Sequence, residues 1–105
     1  MLNPIKLASY HFLSSLDTSS EEVLRIIEIA NNFKNKKLNI EFKDKVLGLI
    51  FDKSSTRTRV SFQVAMSRLG GTTVDLNPTT SQIGRGEPIQ DTARVLSRYC
   101  DVLAI

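Results

Sequence analysis

Apolar positions run along this chain with two different periods. In "SSEEVLRIIEIANNFKNKK" (19–37), Val23, Ile26, Ile27, Ala30 and Phe33 recur every three or four residues, which predicts a helix with one apolar stripe. Ser19 and Glu22 have capping-box spacing, so Ser19 is the predicted N-cap. Lys34, Lys36 and Lys37 gather at the other end, where cations suit the helix dipole. "KVLGLIF" (45–51) is a short continuous apolar run, the pattern of a parallel strand covered on both faces. The segment after it predicts a second helix, with Val60, Val64 and Ala65 on one side and Gly70-Gly71 as its stop. "TTVDL" (72–76) alternates like a strand. Residues 77–87 form a polar, glycine-containing loop, long enough in a small domain to suggest a function. Pro88 suits the first turn of a third helix, with Ile89, Ala93, Leu96 and Tyr99 as its buried face, and "DVLAI" (101–105) reads as a last strand. Residues 1–16 carry no strong period.

Helices alternating with strands in this order predict an α/β fold, a parallel sheet flanked by helices and joined by right-handed crossovers. A length of 105 residues provides for one small domain. The last predicted strand would need neighbours on both faces, so the sequence is expected to be a fragment of a longer protein.

Composition narrows the function classes. The net charge of +3 favours anionic ligands, but no basic stretch is interleaved with aromatics, so nucleic acid is not an expected partner. No apolar run approaches the ~20 residues of a membrane span. The N-terminus lacks the pattern of a signal peptide. Cys100 is the single cysteine, which fits a reducing compartment, and a cytoplasmic location is expected.

The candidate chemistry lies in "FDKSSTRTRVSF" (51–62), where the first strand hands over to a helix. Ligands of open α/β sheets bind outside the carboxyl ends of the strands. The first turn of a helix offers unpaired N–H groups and a partial positive charge, which suit phosphate. Ser55, Thr56 and Thr58 add hydroxyl donors, and Arg57 adds a planar charged fork. Arg59 has two open roles, as a second anion ligand or as the partner of an internal carboxylate. The plainer alternative makes Ser55 an ordinary N-cap and the arginines solvated. Two cations in a first turn oppose the helix dipole, however, which favours an anion there. Neither G-x-x-x-x-G-K-[ST] nor G-x-G-x-x-G occurs.

"FDKSSTRTRVSFQVAMSRLGG" resembles the carbamoyl-phosphate motif of the aspartate/ornithine carbamoyltransferase family, whose core is Ser-Thr-Arg-Thr-Arg. "SQIGRGEPIQDTARVLSRYCD" is similar to the ornithine branch of that family, and the likeness runs from His11 onward. The resemblance implies that residues 1–105 are the carbamoyl-phosphate-binding domain, incomplete at its C-terminal end, with the ornithine-binding domain absent. It implies transfer of a carbamoyl group from carbamoyl phosphate to ornithine, giving citrulline and phosphate. Ser55, Thr56, Arg57 and Thr58 would hold the phosphate and the carbamoyl oxygen, with Arg57 and Thr58 acting in catalysis. Gln82 would reach carbamoyl phosphate from a neighbouring subunit of a homo-oligomer, expected to be a trimer. No cofactor is implied, and nothing has metal-ligand spacing.

His11, the single histidine, is expected to be structural or superficial, because the family's catalytic histidine lies in a His-Pro-x-Gln motif absent from these residues. Cys100 is expected to be a small core residue. Glu87 and Asp91 are either partners for Arg57, Arg59 or Arg85, or solvated. The family's next phosphate-binding arginine would follow "DVLAI" directly. Aspartate carbamoyltransferases typically carry a lysine in the loop that here reads "SQIGRGE", which argues against that activity. Modified or decarboxylated ornithine as acceptor, and a non-catalytic phosphate-binding module, remain as alternatives.

Overall fold

A computed structural model describes residues 6–51, 55–77 and 88–105, in two compact units, Met1–Ile40 and Glu41–Ile105.

The first unit holds α1 (Ser20–Lys34). Its start is the expected capping box: Ser19 Oγ accepts from Glu22 N at 3.1 Å, and Glu22 Oε1 accepts from Ser19 N at 2.9 Å. Glu22 Oε2 also accepts from Ala8 N at 3.0 Å, which ties the preceding segment to the helix. Donation by the Ser19 and then the Ala8 backbone N–H holds the Glu22 carboxyl below its usual pKa. The helix ends in a Schellman motif in which Lys36 N bonds Phe33 O and Lys37 N bonds Asn32 O. Lys36 therefore occupies the left-handed position, with φ 57°. Lys36 and Lys37 lie beyond the helix rather than in its last turn; only Lys34 is inside it. The apolar stripe exists, yet no residue of α1 is buried. A short 3-10 turn at Ser15–Asp17 was not foreseen, although Ser14 and Asp17 repeat the capping-box spacing.

The second unit is a parallel sheet of three strands in the order β2-β1-β3, with β1 at Val46–Ile50, β2 at Thr72–Leu76 and β3 at Val102–Ala104. The fold is the α/β class expected, with α2 (Thr56–Arg68) joining β1 to β2 and α3 (Ile89–Tyr99) preceding β3. The chain steps from β1 to β2 in one direction and from β2 past β1 to β3 in the other. Right-handed crossovers then put α2 and α3 on opposite faces.

The register agrees with that arrangement. Leu47 and Leu49 share one face of β1 and form the buried core with Met66 of α2, with Phe51 and Ala104 packed against it. Leu49 is fully buried, worth about 1.5–3 kcal/mol by removal of its side chain from water. Gly48 backs the other face, towards Leu103 and Cys100; Cys100 is half-buried there rather than the core residue expected.

Two helix faces differ from expectation. On α2 the buried residue is Met66, while Val60 and Val64 are exposed. Met66 lies in the last turn, beside a Schellman motif in which Gly70 has φ 84° and Gly71 N bonds Met66 O; a Cβ on Gly71 would collide with the Met66 side chain. On α3 the buried residue is Thr92, with Leu96 half-buried; Ala93 and Tyr99 are exposed. Pro88 stands at the N-cap, one residue before the helix rather than in its first turn.

Candidate anion site at the start of α2

The sheet's topology places one junction where a ligand would be expected. Ligands of open parallel sheets bind outside the carboxyl ends of the strands, and the central strand β1 hands over to α2 at that edge. β1 ends at Ile50, and α2 begins at Thr56 after an N-cap at Ser55. The start of α2 thus stands at the carboxyl end of the central strand.

Ser55 is half-buried, with φ −97° and ψ 33°, and its side chain makes no capping hydrogen bond. The plain capping role weighed from the sequence is therefore not the one it plays. This helix start also differs in charge from those of the other two helices. The first turn of α1 carries Glu21 and Glu22 and that of α3 carries Asp91, whereas the first turn of α2 has no acidic residue. Its positive end has no carboxylate of its own first turn and has Arg57 added to it.

The two arginines separate cleanly. Arg59 turns to the sheet: its Nε donates to Asp75 Oδ1 at 3.1 Å, and its second terminal nitrogen donates to Phe51 O at 2.6 Å. Its side chain is only 16% exposed, so this pair is the internal-carboxylate alternative. Arg57 lies two residues earlier, about 200° around the helix. It is exposed, together with Thr56 and Thr58. Ser61 Oγ donates to Thr58 O at 2.7 Å, inside the helix. The structure thus gathers Ser55, Thr56, Arg57 and Thr58 in one turn. Gln82, Arg85 and Glu87 lie outside the described residues.

The remaining candidates are peripheral. His11 is exposed and its ring meets Tyr10 edge-on, with ring centroids 4.9 Å apart. Asp91 pairs with Arg94 at 3.6 Å, both exposed, rather than with Arg57 or Arg59. Among the described residues, no group of three metal-ligating side chains comes together, and no helix is long and apolar enough to cross a membrane.

Asp75 is the residue that sequence reasoning missed. Its signal was a lone carboxylate inside a strand, beside a helix start with one arginine more than the dipole favours.

A sequence model of aspartate/ornithine carbamoyltransferase, carbamoyl-P binding domain, matches residues 10–105. The chain belongs to this family. It is similar to an ornithine carbamoyltransferase of Prochlorococcus marinus (strain MIT 9312), with 73% identity over 105 residues, covering all of this chain and 34% of that protein. An ornithine carbamoyltransferase of Nostoc punctiforme is 56% identical over 93 residues, 89% of this chain and 30% of that one. Among solved structures, the ornithine carbamoyltransferase from Pyrococcus furiosus superposes with a TM-score of 0.80 at 46% identity, over 95% of this chain and 33% of that chain. The catalytic subunit of M. jannaschii aspartate transcarbamoylase superposes with a TM-score of 0.75 at 36% identity, over 90% and 33%. This carbamoyl-P binding domain thus spans about a third of the length of the curated relatives it matches.

Proposed function

We propose that a full-length protein carrying this chain is an ornithine carbamoyltransferase, and that Ser55, Thr56, Arg57 and Thr58 hold its carbamoyl phosphate. The observation that carries this reading is the helix start at the carboxyl end of β1, free of acidic residues and bearing an exposed Arg57. Ornithine as acceptor is supported by the similarity to ornithine carbamoyltransferases at 73% and 56% identity.

In the proposed reaction the deprotonated side-chain amine of ornithine attacks the carbamoyl carbon. A C–N bond forms, negative charge gathers on the carbonyl oxygen, and the C–O bond to phosphorus breaks. Phosphate leaves with the electron pair, and the new nitrogen loses its proton to give citrulline. Donors fixed at both oxygens stabilise that charge more than they stabilise bound substrate, which lowers the barrier. Arg57 meets the phosphate with its planar fork, and Thr58 donates its hydroxyl towards the carbamoyl group.

Gln82 is proposed to complete the site from a neighbouring subunit of a trimer, since a head-to-tail contact repeated three times closes a ring. A cytoplasmic role, in arginine synthesis or in the reverse catabolic direction, goes with the same reading. The test is product formation by the purified full-length protein with carbamoyl phosphate and either ornithine or aspartate. Citrulline with ornithine supports the proposal; carbamoyl-aspartate alone, or no product with either, refutes it.

A further inference from the structure

We infer that Arg59 and Asp75 are positioning residues for the anion site: their ion pair sets the direction in which Arg57 points without either residue touching the ligand. The inference rests on the functional reading above and adds to it a part for β2.

The Arg59 guanidinium bridges two strands and a helix. It binds the carbonyl of Phe51, one residue after the end of β1, and the carboxylate of Asp75 on β2. It belongs to the second turn of residues counted from the Ser55 cap, immediately after the turn that carries Arg57 and Thr58. One planar fork therefore pins the start of α2 to the carboxyl ends of both β1 and β2. The register supports this, because Asp75 pairs with Leu49 and so lies on the α2 face of the sheet with the core residues. With Arg59 drawn to the sheet, a residue about 200° away must point outward, and Arg57 is that residue. If the Arg59 anchor is lost, α2 can rotate or slide, and Arg57 and the first-turn amides lose their common aim. Misplacement of this kind by about 1 Å costs up to about a hundredfold in a positioned reaction.

Charge gives the idea a sharp sign. Asp75 is an anion near a proposed anion site. If the two residues acted only through their charges, Asp75→Asn would remove a repulsion and tighten carbamoyl phosphate binding. If they act by positioning, the same change weakens it.

The experiment uses the full-length parent, Asp75→Asn and Arg59→Lys. Lysine keeps the charge but cannot span Asp75 and the Phe51 carbonyl with one rigid fork. The readouts are the calorimetric Kd for carbamoyl phosphate, the KM for the acceptor, and the thermal midpoint. A Kd raised about tenfold in both variants, with acceptor KM within about twofold, supports the inference. A lower midpoint with unchanged Kd makes the pair merely structural and overturns it, and so does tighter binding by Asp75→Asn. If Asp75→Asn does not fold, Arg59→Lys decides by the same criteria. A parent that binds no carbamoyl phosphate sinks the functional reading and this inference with it. A parent that binds alongside unaffected variants sinks the inference alone.

Discussion

Gly48 and Leu103 face each other across the β1–β3 pair, so closely that a Cβ on Gly48 would stand 2.6 Å from Leu103 Cδ2 and 3.0 Å from Cys100 Sγ. β1 has room there for no side chain. Gly48→Val is expected to lower stability by about 1–3 kcal/mol through overpacking. Gly48→Ala should cost less, because the terminal methyl of Leu103 can swing aside. Urea unfolding of the three proteins checks the order; equal midpoints would contradict it.

Lys36 holds a left-handed conformation that glycine adopts without strain. Lys36→Gly is therefore expected to stabilise the fold by about 1 kcal/mol. The reverse holds at Gly70, where φ is 84° and Gly70→Ala should destabilise by about the same amount. Thermal unfolding of both variants should move in opposite directions.

The lowered pKa of Glu22 gives a pH dependence with a definite sign. A carboxyl more acidic in the folded state contributes stability above its unfolded pKa and loses it as pH falls through the folded one. The stability difference between the parent and Glu22→Gln should be largest near neutrality and shrink as pH falls below the ordinary glutamate range. Denaturant titrations at several pH values measure it, and a difference that grows on acidification would contradict the assignment.

These elements show what could be read from the sequence and what could not. The Ser19–Glu22 cap, the continuous run of β1 and the Gly70-Gly71 stop depend on neighbours a few residues away, and local patterns reveal them. The Ser-Thr-Arg-Thr stretch was legible for the same reason, since strand end, cap and cations are adjacent in sequence. The role of Arg59 was not decidable, because Asp75 lies sixteen residues on and reaches it only through the β1–β2 register. The inward faces of α2 and α3 were misjudged likewise. Periodicity marks Val60, Val64, Ala93 and Tyr99 as apolar or large, but the approach to the sheet selects Met66 and Thr92.

Replacing Arg57 should hurt far more than replacing His11. His11→Ala is expected to stay within about threefold of the parent in kcat/KM, because the ring is exposed and stands against Tyr10, away from the start of α2 in sequence. Comparable losses in Arg57→Ala and His11→Ala would mean that the site is wrongly assigned.

In the proposed site the first turn of α2 holds carbamoyl phosphate through Arg57. Calorimetric titration of carbamoyl phosphate into the full-length parent and its Arg57→Ala variant tests it most directly. The expected result is saturable binding by the parent and a Kd raised about a hundredfold or more in the variant, the loss of a charge-assisted fork from an anion site. Equal affinity in the two proteins would contradict it.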